Sequence, residues 1–224
     1  MRFHKGPFPV NKNFHPESEG WFTLPAVNLN TLPLWAIAAS IGLLLPWSFL
    51  ALLVFPPELL TPQIIQLASN MYRIEFPVFQ IPFWPTVAVL IAVSILFIPT
   101  HELVHALYCP GWGLSADTVI GVWLPKGFLY VHYEGSMSRN RFLAVLIAPY
   151  IVLSLLPLAL IVMFRLTSWT PGTIVGLGWL SLLGSLLSGG DLVSVVSLLS
   201  SKIPSTALIR NNGEKSYWKP LQTI

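Results

Sequence analysis

The sequence predicts an all-α membrane protein, a bundle of four transmembrane helices with a membrane-associated β-hairpin in its central loop. Three observations predict it. Only 9% of the 224 residues are Asp, Glu, Lys or Arg, against roughly a quarter in soluble domains. The set AVILMFWYC makes up 54% of the chain, and the mean hydropathy is +0.69. Four stretches, 33–55, 86–108, 142–164 and 173–199, then reach the roughly 20 apolar residues that a helix needs to cross the hydrocarbon core. Strands of alternating hydrophobicity do not recur as a barrel requires, so the spans read as helices, which satisfy their backbone groups internally in lipid.

The same numbers exclude other classes. Twelve basic and nine acidic side chains cannot solvate the surface of a 24.8 kDa globule, which removes a soluble enzyme. Disordered chains are poor in the apolar residues found here in excess. The net charge of +3 is small and scattered, which removes a nucleic-acid partner. The single Cys109 permits neither an internal disulfide nor a cysteine-built zinc knuckle.

Residues 1–32 form a polar arm. The first span, 33–55, carries no charge; it begins too far into the chain, and runs too long, for a cleavable signal peptide. Trp35 and Trp47 mark it, Pro56-Pro57 closes it, and Trp84-Pro85 precede the second span; aromatics at such boundaries suit the headgroup layer. Between them, 56–85 reads as a loop with one short interfacial helix over 58–73. In the central loop, residues 118–124 and 128–133 are β-rich and flank the turn Pro125-Lys126-Gly127, which predicts a hairpin at the membrane surface. Pro99 in the second span and Pro149 and Pro157 in the third each remove a backbone hydrogen bond and bend the helix, opening room for water. The tail 201–224 is polar and reads as disordered.

Four spans put the arm, the central loop and the tail on one side. That side holds Arg2, Lys5, Lys12, Lys126, Arg139, Arg141, Lys202, Arg210, Lys215 and Lys219; the other holds Arg73 and Arg165. Ten against two places both termini in the cytoplasm.

The second span contains His101-Glu102-Leu103-Val104-His105, an H-E-x-x-H sequence. On a helix, positions i and i+4 share a face, so both imidazoles can reach one Zn²⁺ while Glu102, turned about 100° away, reaches a water as general base. Five His and seven Glu in this length predict only about 0.003 chance matches. A carboxylate and two imidazoles inside an uncharged span are costly without partners, and they are functional by default.

Catalytic zinc takes three protein ligands and keeps one position open. His4 and His15 lie in the polar arm, which leaves Asp191 and His132 as candidates for the third. Depth favours Asp191. At 1.5 Å per residue, His101 and His105 lie roughly 5–10 Å below the cytoplasmic end of their span, and Asp191 about 12 Å below the end of its own. Ser181, Gly184, Ser185 and Ser188 form a small-residue stripe leading to Asp191, which lets two membrane helices approach closely.

With its following β-rich loop, its Pro-containing third span and its Asp on a later span, the chain resembles the site-2 protease type of intramembrane zinc metalloprotease. More closely, the small size, the HELVH motif, Ala148-Pro149 and Ser188-Gly189-Gly190-Asp191 resemble the bacterial membrane proteins called putative zincin peptidases, over roughly residues 85–200. The resemblance implies zinc held by His101, His105 and Asp191 with Glu102 as base, in a metalloprotease-like domain over 33–200 flanked by cytoplasmic segments 1–32 and 201–224. The likeness, and the lack of a targeting extension, favour a bacterial plasma membrane. Site-2 proteases carry Leu-Asp-Gly after an Asn-Pro pattern; here the glycines precede Asp191, and no asparagine is placed to bind an oxyanion.

The expected activity is hydrolysis of membrane-embedded or membrane-proximal peptides. Zinc lowers the pKa of its water towards about 7 and polarises the scissile carbonyl, Glu102 shuttles the proton, and the 118–133 hairpin holds an extended substrate by strand addition. Two rival classes use fewer of these residues. A zinc sensor or carrier needs the histidines without Glu102, and a structural membrane subunit needs neither. The expected partners are a protein or peptide substrate and the lipid bilayer.

Overall fold

The computed structural model describes residues 1–24, 32–54, 73–76, 79–164 and 171–221. The interfacial helix expected over 58–73 lies outside these up to residue 72, and Arg73 opens a strand instead.

The all-α, four-span bundle is overturned. Helices share the described residues with seven strands in two sheets, and with a separate strand pair. The helices are α1 (Leu32–Val54), α2 (Phe83–Tyr108), α3 (Arg139–Pro149), α4 (Leu156–Phe164), α5 (Pro171–Leu187) and α6 (Gly189–Ser200). Among the described residues, two helical stretches are long and apolar enough to cross a membrane: Ile91–Tyr108 within α2, and Arg139–Met163, where α3 runs through a π turn (Tyr150–Leu155) into α4. Within α1, a helix of 23 residues, Leu34–Phe49 is a further apolar stretch. The expected fourth span breaks by 50° between α5 and α6. Hydropathy averaged over 173–199 hides this break. Ser188-Gly189-Gly190 supplies it, because two successive glycines are poor helix formers.

Segments expected as a polar arm and a disordered tail are strands. β1 (Arg2–Lys5) pairs in parallel with β5 (Thr118–Trp123), and β5 pairs antiparallel with β6 (Phe128–Tyr133) in the register Thr118↔Tyr133 to Trp123↔Phe128. The 118–133 pair is thus two-thirds of a three-stranded sheet, with β6 at its edge. Gly127, at φ 71°, closes the β5–β6 connection in a conformation glycine adopts without strain. In the second sheet, β2 (Phe22–Thr23), β9 (Lys215–Lys219), β8 (Leu208–Asn212) and β7 (Ser136–Ser138) lie in the order β2-β9-β8-β7. The pair β3 (Arg73–Phe76) and β4 (Phe79–Pro82) stands apart, joined Arg73↔Pro82 to Phe76↔Phe79. The first two sheets tie segments more than a hundred residues apart, and such pairing leaves no local period in the sequence.

The apolar interior has corresponding parts. Leu24, Leu198, Ile203, Ala207 and Ile209 join the second sheet to the end of α6, with Phe142 and Trp218 packed on them. Cys109, Tyr133, Met137 and Val145 join the end of α2 to β6, β7 and α3. Phe97, Val104, Ala148, Leu153 and Leu183 unite α2, α3, the π turn and α5. The H-E-x-x-H turn of α2 sits between these last two clusters.

Candidate metal centre

His101 and His105 lie in the last two turns of α2, which runs unbroken through Pro99. Both imidazoles are buried, with ring centroids 5.0 Å apart and planes at 81°. Asp191 reaches them from the first turn of α6, where the exposed amides and the helix dipole favour a negative charge. Its Oδ2 stands 3.1 Å from His101 Nε2 and 3.3 Å from His105 Nε2.

Two close approaches put Asp191 there. A Cβ on Gly189 would run into Ser40 Oγ and the Ala36 carbonyl of α1, so only glycine lets α6 lie on α1 at that depth. Gly184 likewise abuts the Leu153 carbonyl in the π turn. Around it, Ser181 donates to the Ser154 carbonyl (2.8 Å), Ser154 and Ser185 share a 2.5 Å hydroxyl contact, and Trp47 of α1 donates to Ser181 (2.8 Å). The small-residue stripe therefore packs on the π turn and α1, and Trp47 faces the interior. The break at Ser188, not the stripe, carries Asp191 to α2.

The pattern fits zinc. Four ligand atoms at about 2.0–2.2 Å from a tetrahedral zinc stand about 3.3–3.6 Å from one another, close to the 3.1 and 3.3 Å between Oδ2 and the two Nε2 atoms. The protons point the same way. His105 Nδ1 lies 2.7 Å from the Val145 carbonyl, which can only accept, so Nδ1 carries the hydrogen. Nε2 then faces an anionic oxygen at 3.3 Å, a contact that is repulsive without either a cation between them or a second proton on the ring. A backbone carbonyl on the second nitrogen is also the usual support of a metal-ligating histidine. His101 Nδ1 is buried without a hydrogen-bond partner among the described residues, an arrangement costly for a histidine kept only for structure.

Glu102 is half-buried on a neighbouring face of α2. One carboxylate oxygen and one nitrogen from each histidine lie within 4.8 Å of one another, and the carboxylate lies on the side of Val131 in β6. This group and the His101–His105–Asp191 group share both histidines. The Asp191 oxygen makes the shorter contacts, which leaves Glu102 beside the centre, facing the edge strand.

His132 is elsewhere. It is buried on β6 with its ring centroid 5.9 Å from that of Phe8, and its Nε2 has no hydrogen-bond partner among the described residues. Burial, reinforced by the charges of Arg2 and His4, pushes it from 6.5 down to about 4. His4 Nε2 lies 3.0 Å from the Pro7 carbonyl, to which the ring must donate. The feature no residue type advertises is the Val145 carbonyl, a main-chain group.

No curated protein and no solved structure matches the chain, so the site-2 likeness rests on motif resemblance alone. A family model described as "Putative zincin peptidase" matches residues 94–206, half of the 224 residues, from within α2 ahead of the histidines to just short of β8. With that match and an H-E-x-x-H helix whose two imidazoles meet a distant carboxylate, the chain belongs to the putative zincin peptidase family.

Proposed function

We propose that this protein is a membrane zinc metallopeptidase that hydrolyses peptide bonds of membrane-embedded or membrane-proximal substrates. One observation carries the reading: a single Asp191 oxygen lies within 3.3 Å of both His101 and His105 Nε2, although the aspartate is some ninety residues away in the chain. His101, His105 and Asp191 would hold the metal, which when bound supplies a Lewis acid that activates water and polarises the scissile carbonyl. Glu102 is the general base: its carboxylate takes the proton of the attacking water and returns it to the leaving amine. The apolar shell of Phe97, Val104 and Ala148 keeps bulk water from weakening these charges.

The substrate docks as an added strand on β6, the sheet edge next to Glu102. Main-chain pairing tolerates varied side chains, which suits a peptidase, and it requires an embedded helix to unwind before cleavage. Substrate peptides N-methylated at alternate residues lose the N–H groups that such pairing uses, and they should be cleaved far more slowly; equal cleavage overturns this mode. The two long apolar helices support a place in the bilayer, and the basic excess of the arm, central loop and tail, which the two sheets join, supports cytoplasmic termini.

The deciding experiment pairs metal analysis with proteolysis on purified protein. One zinc per chain is expected in the parent and in Glu102→Gln, and little in Asp191→Ala. Glu102→Gln should lose about 10²–10⁴-fold in cleavage while keeping its metal. Full activity in that variant sinks the catalytic assignment, and a zinc-free parent sinks the metal.

A further inference from the structure

We propose that Pro149 is a positioning residue of this centre: by bringing no N–H to the Val145 carbonyl, it leaves that carbonyl free to hold the His105 imidazole. In an α-helix the carbonyl of residue i is taken by the amide of residue i+4. Val145 lies well inside α3, and its partner by that rule is position 149. Proline there has no amide hydrogen, and its ring crowds the same carbonyl, tipping it off the helix axis. The next amide does not compensate, because Tyr150 N–H goes to the Ile147 carbonyl. Beyond it the helix repacks as the π turn, with Leu156 N–H reaching back five residues to Ile151.

The freed carbonyl does not face lipid. Val145 and Pro149 are buried, Ala148 between them is 1% exposed, and α3 lies against α2 with His105 Nδ1 at 2.7 Å. A carbonyl already engaged in a helix is a poorer acceptor for a second donor, so the missing N–H strengthens this contact as well as exposing it. The contact sets which nitrogen of His105 carries the hydrogen and which faces Asp191. A proline thus acts on the metal site through one main-chain oxygen, without touching the centre.

The inference rests on reading His105 as a zinc ligand, and the test separates the two. Zinc affinity is measured by chelator competition, and the His105 Nδ1–H resonance is read in ¹⁵N-histidine-labelled protein free of metal. Pro149→Ala supplies the missing N–H and should weaken zinc about 10–100-fold, the usual effect of losing an outer partner of a metal histidine, with loss of the protected Nδ1 proton. An α-hydroxy acid at position 149, which has neither ring nor N–H, should keep both. An α-hydroxy acid at position 146 turns the Val145 carbonyl into a weaker ester acceptor with Pro149 in place, and should weaken zinc by a second route. Pro157→Ala, four residues from Leu153 and away from the histidines, should leave affinity unchanged. Four results overturn the inference: parental behaviour of Pro149→Ala, parental affinity of the position-146 ester, loss of affinity in the position-149 ester, or an equal loss in Pro157→Ala. If the parent takes up no zinc, the zinc reading falls, and the metal-free resonance decides the role of Pro149 alone.

Discussion

A histidine buried without full hydrogen bonding is stable only while neutral, and at the residue scale His132 makes the fold sensitive to acid for that reason. Its ordinary pKa of 6.5 is lowered to about 4 in the folded chain, first by burial and then by Arg2 and His4. Between these values the unfolded chain binds a proton that the folded chain does not. The stability due to the neutral ring is therefore complete above about pH 6.5 and lost as the pH falls towards 4. A shift of that size is worth about 3 kcal/mol. Thermal midpoints of the parent should fall across this window, and His132→Phe, which keeps the packing on Phe8 and removes the titration, should flatten that fall. An unchanged slope in the variant would show that other groups govern acid stability. His101, Glu102 and His105 were legible in the sequence at this scale because an i, i+4 spacing is a local signal that a helix turns directly into geometry. The positions of His132 and Asp191 relative to the histidine pair were separable only by depth, a cruder guide, since a strand histidine carries no mark of which face it occupies.

At the scale of elements, the site depends on the joint between α5 and α6. Depth along a span suggested that Asp191 could reach the level of the histidines, but a straight helix over 173–199 was the wrong vehicle for it. The 50° break places Asp191 in a first helical turn, and the contact of Gly189 with Ala36 and Ser40 fixes where that turn begins. Windowed hydropathy cannot register such a break, because serine and glycine lower the average only slightly. Gly189→Ala puts a methyl group against backbone of α1, so α6 must slide and carry Asp191, two residues on, with it. Zinc affinity should fall about tenfold, comparable to the loss of an outer support, whereas Gly190→Ala, whose Cβ would meet only the Ala36 side chain at 3.8 Å, should bind as the parent does. Equal affinities in the two variants would place the control of Asp191 elsewhere.

Across the whole molecule, the sheets were the part the sequence concealed. Membrane helices declare themselves through long uniform composition, whereas β8 and β9 are five residues each and find their partners across most of the chain. Their apolar residues, Ile209 and Trp218 among lysines and asparagines, look like a polar tail until pairing brings them to one face. Yet Ile209 is 1% exposed and Ala207 fully buried, against Leu24, Leu198 and Ile203. Leu198 and Ile203 lie at and just beyond the end of α6, so the sheet buttresses the helix that delivers Asp191. Burying an isoleucine contributes about 1.5–3 kcal/mol, and removing residues 205–224 would strip that together with the cover over three further apolar side chains. The truncated protein should melt more than about 5 °C lower in detergent, given a few degrees per kcal/mol at this size. Its zinc affinity should fall as well, because α6 loses its outer support. A truncated chain that melted lower but held zinc as tightly as the parent would separate the two, leaving the sheet a stabiliser of the fold with no hand in the metal centre.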